Sequence, residues 1–253
     1  MIGKSIFSFN LSPKIRFGEY ATESRLIVDE MVSNLGPRVL LITDRGITKL
    51  GLYDPIVSLM QRTTDAIFVF DEVEPDPSLA TLRKSISIGT KHSVTGVIGF
   101  GGGSSMDVAK LVSLIIGSKE NIDDIWGVDN AKGPRISLCL IPTTAGTGSE
   151  ITPNASFIDT DEKRKMGING EGIRPKYSIL DPELTLTCPK GPTISAGVDS
   201  IVHATEAFVA KKSNPIAKLF AKEGFNLVIK NLPLLIEDLQ NIFVKDYVFP
   251  MIR

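Results

Sequence analysis

Three short stretches of this chain combine residue types that can do chemistry. The first, Gly101-Gly102-Gly103-Ser104-Ser105-Met106-Asp107-Val108-Ala109-Lys110, follows directly on the apolar run Gly96-Val97-Ile98-Gly99-Phe100 and reads as strand, glycine turn and helix. Without Cβ atoms such a turn lets backbone N–H groups approach an anion. The positive end of the following helix adds to the attraction, so a pyrophosphate is the natural guest at Gly102, Gly103 and Ser104. A glycine turn also joins a strand to a helix for steric reasons alone, and the spacing leaves both readings open. The second stretch, Ile141-Pro142-Thr143-Thr144-Ala145-Gly146-Thr147-Gly148-Ser149-Glu150, is a small hydroxyl-rich loop. The hydroxyls of Thr143, Thr144, Thr147 and Ser149 suit phosphates or a carboxamide, and a turn that needs only short side chains is the alternative. In the third, Gly197 to Ala207, Asp199 and His203 stand at i, i+4. On a helix they share one face, where carboxylate and imidazole can hold one metal ion or simply stabilise the helix.

These stretches need a scaffold, and the chain between 38 and 145 supplies its pattern. Apolar runs at 39–42, 66–70, 96–100 and 137–141 alternate with helix-length amphipathic segments at 53–62, 78–91 and 106–116. Continuous Val/Ile/Leu runs suit strands covered on both faces, so the expectation is a parallel α/β sheet. Ligands of such sheets lie beyond the carboxyl ends of the strands, where Asp44, the glycine loop and Thr143-Thr144 all fall. An acid ending the first strand accepts hydrogen bonds from an adenosine ribose and repels a 2′-phosphate, which favours NAD; Arg45 beside it tolerates a phosphate and leaves NADP open. A helix cap is the other reading of Asp44. Asp107 is also an ordinary acid for a helix first turn. Lys110 reads as solvated, and Lys165 as a surface lysine. Residues 155–181 read as strand and hairpin material, and 195–210 and 217–231 as helices separated by Ser213-Asn214-Pro215, a good helix start.

Composition narrows the partners. The 253 residues are 42% hydrophobic, enough for one large core or two smaller ones, with formal net charge −1 and two cysteines. With no clustered basic stripe, nucleic acid and anionic membrane surfaces are excluded as partners, and a small molecule is expected. Cys139 and Cys188 make no disulfide framework, and the longest apolar runs, such as 111–116, fall short of a membrane span. The N-terminal segment lacks an uninterrupted apolar signal region, so the expected location is cytoplasmic.

The elements GGGS-x-x-D-x-A-K, P-T-T-x-G-T-G-S-E and G-x-D-x-x-x-H-A-x-E, in this order, resemble the iron-containing (group III) metal-dependent alcohol dehydrogenase family. The opening, Phe9 through Pro13 and Ile15-Arg16-Phe17-Gly18, is similar to the family's first strands, and the resemblance runs to about residue 232. It implies a Rossmann-like N-terminal α/β domain over 1–185 and a partial all-α metal-binding domain over 186–253. It further implies an NAD-dependent oxidoreductase that interconverts a small alcohol with its aldehyde or ketone, a divalent ion (Fe²⁺ or Zn²⁺) acting as Lewis acid. By the resemblance Asp199 and His203 are metal ligands and the catalytic centre, with Glu206 a partner orienting the imidazole. Asp44, Gly102, Gly103, Ser104, Asp107, Thr143, Thr144, Thr147, Ser149 and Lys165 belong to the cofactor site, Asp107 also to the active-site wall and Lys165 on the cofactor ribose. The usual family assembly is a homodimer. The family carries two more metal-binding histidines after the Asp-x-x-x-His pair, whereas this chain has none after His203, its other histidine being His92. Residues 241–251 lose helical periodicity. The expectation is a C-terminally truncated member. The alternatives are a non-catalytic dinucleotide-binding fragment, or a relative of glycerol dehydrogenase or dehydroquinate synthase, against which the Thr143 to Glu150 loop argues.

Overall fold

The computed structural model describes residue 7, residues 13–160 and residues 162–239. The elements, in order, are β1 (Lys14–Phe17), α1 (Arg25–Leu35), β2 (Arg38–Ile42), α2 (Arg45–Leu50), α3 (Asp54–Met60), β3 (Ala66–Phe70), α4 (Leu79–Lys91), β4 (Gly96–Gly101), α5 (Gly103–Ser118), β5 (Gly127–Val128), β6 (Ser137–Pro142), β7 (Asn154–Asp159), β8 (Arg164–Asn169), β9 (Tyr177–Leu180), α6 (Lys190–Val209) and α7 (Pro215–Glu237). The chain divides into two compact units. Among the described residues, one holds 13–144 and 149–185 and the other 145–148 and 186–239.

In the first unit six strands form one sheet in the order β1-β9-β6-β4-β2-β3, every neighbouring pair parallel. The strand pleat explains its apolar runs. Leu40 and Ile42 of β2, Val97 of β4 and Leu138 and Leu140 of β6 enter a core with α4 and α5. Val39, Leu41, Ile98, Phe100, Cys139 and Ile141 alternate with them into a second core with α1 and α3. Side chains at successive positions face opposite ways, so a strand between two helical layers must be apolar at every position. Helix α1 obeys the complementary rule, burying Val28, Met31, Val32 and Leu35 on one stripe. On the other face α5 packs so tightly against β4 that a Cβ on Gly99 would stand 2.7 Å from Ala109 Cβ.

A smaller sheet, β5-β8-β7, joins the antiparallel hairpin β7–β8 to the short parallel strand β5. The expected hairpin material at 155–181 therefore divides. The hairpin forms its own sheet, and β9 returns to the main sheet between β1 and β6.

The second unit is built on α6 and α7. The Asn214 side chain accepts hydrogen bonds from Ile216 N and Ala217 N, and Pro215 follows at the first helical position, where its missing N–H loses nothing. Ala221, Gly224, Val228, Leu232 and Leu235 form the buried stripe of α7. A Cβ on Gly197 would meet Leu232 Cδ1 at 2.4 Å, so α6 and α7 approach closely there. The stretch 241–251, and residues 9–12 of the expected first strands, lie outside the described residues. Among the described residues no helix is long and apolar enough to cross a membrane.

Candidate functional site

The glycine loop leaves β4 at its carboxyl end, and Gly101 has φ 144, a conformation that side chains resist. A Cβ there would also come within 3.0 Å of Ser105 Oγ. Gly102 is the N-cap of the 16-residue α5 and Gly103 and Ser104 are its first residues, yet no side chain caps this helix. Asp44 caps α2, Ser78 caps α4 and Asn214 caps α7, whereas α1, α3 and α6 also start without a side-chain cap, so it is the glycines before α5 that set its start apart. An uncapped helix start preceded by glycines presents its first N–H groups outward and carries the positive end of the dipole, the arrangement that receives phosphate.

Two further groups border this loop in the same unit. Thr143 N donates to Gly101 O at 3.0 Å, and the Thr144 side chain stands 3.7 Å from where a Gly102 Cβ would be. Asp44 serves both of its readings. Its Oδ1 accepts from Gly46 N at 2.8 Å and Ile47 N at 3.1 Å, capping α2. Its Oδ2 lies 3.6 Å from the Gly101 Cβ position, at the mouth of the loop.

Asp107 and Ser149 belong to a different structure. Ser149 Oγ donates to Asp107 Oδ1 at 2.6 Å and Ser156 N donates to Oδ2 at 2.9 Å. Lys110 Nζ donates to Ser149 Oγ at 2.7 Å and to Asn154 O at 2.6 Å, and lies 3.5 Å from Asp107 Oδ1. The expectation of a solvated Lys110 is wrong, since the residue is 0% exposed. Burial lowers its pKa from the ordinary lysine value, opposed by the charges of Asp107 and Glu150. Sequence reasoning missed this lysine because a charge in an apolar helix usually marks the solvent side. The available signal was that Val108, Ala109, Leu111, Val112 and Leu114 make α5 apolar on nearly every side of the Asp107–Lys110–Ser113 line, the pattern of a helix covered all round.

Lys165 Nζ pairs with Asp76 Oδ1 at 3.1 Å, both side chains exposed. His92, the other histidine, stacks on Phe68 with ring centroids 4.1 Å apart and is half-buried. Burial drives the Cys139 thiol pKa upward, leaving it a packing group.

In the second unit, Thr147 lies in the 145–148 segment, where Ser200 Oγ donates to Gly146 O at 3.4 Å. On α6, His203 Nε2 and Asp199 Oδ2 are 3.3 Å apart, with 55% and 43% of their side chains exposed. One face of one helix thus presents a carboxylate and an imidazole, a donor pair that suits a divalent ion. Among the described residues no group of three or more His, Cys, Asp or Glu could hold a metal ion, so this pair accounts for two ligands only.

A parallel sheet carrying an uncapped, glycine-led helix start at its carboxyl edge is the architecture of the NAD-binding α/β proteins. The chain belongs to the iron-containing alcohol dehydrogenase family. The model of the iron-containing alcohol dehydrogenases matches residues 12–182, and that of the family's C-terminal region matches 193–249. The chain is 33% identical over 196 residues to the NAD-dependent methanol dehydrogenase of Bacillus methanolicus, covering 78% of this chain and 51% of that one. Among solved structures, a 1,3-propanediol oxidoreductase superposes with TM-score 0.91 at 26% identity, covering 98% of this chain and 64% of that one. The sulfoacetaldehyde reductase of Bifidobacterium kashiwanohense, in complex with NAD⁺, gives 0.87 at 28% identity, covering 98% and 65%. The chain spans about half the length of the curated relatives it matches.

Proposed function

We propose that this chain is an NAD-linked oxidoreductase that interconverts a small alcohol with its aldehyde or ketone. The observation that carries the reading is the uncapped start of α5 behind Gly101 and Gly102, with Asp44 Oδ2 at its edge. The N–H groups of Gly103 and Ser104 bind the pyrophosphate, and Asp44 Oδ2 accepts from the adenosine ribose while Oδ1 holds α2. Thr143, Thr144 and Thr147 offer hydroxyls to the phosphates or the carboxamide. Lys165 reaches the ribose by exchanging its surface pair with Asp76. Asp107 and Ser149 act through position, fixing the second loop to the first turns of α5. A relative described as NAD-dependent and a neighbour solved with NAD⁺ support the cofactor.

Asp199 and His203 would hold an Fe²⁺ or Zn²⁺ ion, which when bound supplies Lewis acidity to the substrate oxygen while NAD accepts the hydride. In this reading residues 1–185 form the cofactor domain, save that 145–148 pack with the second unit, and 186–253 form the metal domain. The two free cysteines suit a reducing, cytoplasmic setting, and the assembly in this reading is the family's usual homodimer. The test is NAD⁺ reduction by the full chain under anaerobic conditions, with a short primary alcohol and added Fe(II) or Zn(II), beside Asp199→Ala. Metal-dependent turnover abolished in the variant is the expected result. Folded protein that binds NADH and turns nothing over favours the second reading, a dinucleotide-binding chain without catalysis, to which the two-donor metal set points.

A further inference from the structure

Next to Asp44 stands a second carboxylate that the cofactor site does not yet use. Residues 44 and 72 form an isolated antiparallel bridge, which brings Glu72, two residues beyond β3, beside the cap of α2. Two cations converge on its Oε2, Lys84 Nζ from α4 at 2.6 Å and Arg45 Nη2 at 3.9 Å. Arg45 is the residue that leaves NADP open in the sequence, because a guanidinium beside the ribose acid is what a 2′-phosphate requires.

Resting on the dinucleotide reading above, we propose that Glu72 is a specificity-determining residue. It excludes 2′-phosphorylated dinucleotides by holding Arg45 and Lys84 and by setting a second negative charge beside Asp44. A 2′-phosphate brought to this corner meets two carboxylates and finds both neighbouring cations already paired. The unphosphorylated ribose needs only the Asp44 acceptor. Rejection by like charge with the rescuing cations withheld is discrimination built against the wrong ligand. These pairs lie at the surface, with 41% of Glu72, 72% of Arg45 and 53% of Lys84 side chains exposed, so they add little to stability and the residue can be changed without loss of the fold.

The test is calorimetric titration of the full chain with NAD⁺ and with NADP⁺, for the wild type and for Glu72→Gln, which keeps size and hydrogen bonding and removes the charge. In the variant the Kd for NADP⁺ is expected to fall about three- to tenfold at low salt, with the Kd for NAD⁺ changed by less than about twofold. Adding Arg45→Ala removes most of the gain, and about 0.5 M salt screens it. A ratio of the two Kd values unmoved by Glu72→Gln, with NAD⁺ still binding, overturns this proposal alone, as does a gain undiminished by Arg45→Ala. A wild type that binds neither nucleotide overturns this proposal and the dinucleotide reading together.

Discussion

Removing the Lys110 ammonium leaves the Asp107 carboxylate without its cation in a site closed by Ser149 and Ser156. Lys110→Met is therefore expected to destabilise the chain by about 3 kcal/mol, read from urea unfolding, because a buried charge loses its partner. The pH dependence has a definite sign. Burial holds the folded lysine below its ordinary 10.5, so between these values the unfolded chain binds more protons and stability rises with pH. Lys110→Met lacks that rise, and the gap between the two proteins should widen as the pH rises towards the ordinary lysine value of 10.5. A constant gap would mean that the lysine is not perturbed. At Gly101, with φ 144 and Ser105 Oγ in the way of a Cβ, Gly101→Ala should cost about 1–3 kcal/mol in the same measurement. Of the site residues, the glycines and Asp44 are legible in the sequence because turn geometry and strand ends dictate type and place together. The Asp107–Lys110–Ser149 network is not, because it joins α5 to a loop about forty residues away whose approach only packing determines.

Among the elements, α2, α4 and α7 begin with side-chain caps while α1, α3, α5 and α6 begin with none. Asn214→Ala should lower stability by about 1 kcal/mol, since Ile216 N and Ala217 N lose their acceptor, a loss visible as a lower unfolding midpoint and reduced helical ellipticity. The strands β2, β4 and β6 are legible because both of their faces are covered and their runs are continuously apolar, and the edge strand β3 is legible from an equally apolar run although only Phe70 is buried and Val69 is exposed. Helices α1 and α2 receive no element in the sequence reading. Helix α2 is six residues long and buries none of them, so it has no apolar stripe to betray it. Helix α1 does have one, at Val28, Met31, Val32 and Leu35, but its charged partners Arg25, Asp29 and Glu30 interrupt the pattern in so short a span. The second sheet is likewise hidden, since hairpin propensity in β7 and β8 does not say whether the pair joins the main sheet or stands apart.

Over the whole molecule, two kinds of surface follow from the composition. The first unit covers its apolar strands with helices on both sides. In the second, Val198, Val202 and Val209 of α6 and Leu219, Phe220 and Ile229 of α7 are exposed. Apolar surface of this extent on folded protein is expected to bind 8-anilinonaphthalene-1-sulfonate, and Leu219→Ser with Val209→Ser to reduce the fluorescence without shifting the unfolding midpoint. Unchanged fluorescence would place the dye elsewhere. The account as a whole rests on one claim, that the start of α5 holds the phosphates of a dinucleotide. Gly102 has ordinary extended backbone, and a Cβ on it would meet Thr144 only at 3.7 Å, so Gly102→Val keeps the fold while filling the cradle. Calorimetric titration of NADH into the wild type and this variant is the most direct measurement. Saturable binding to the wild type, lost in a variant that unfolds at nearly the same denaturant concentration, is the expected result; equal binding by both proteins would contradict the account.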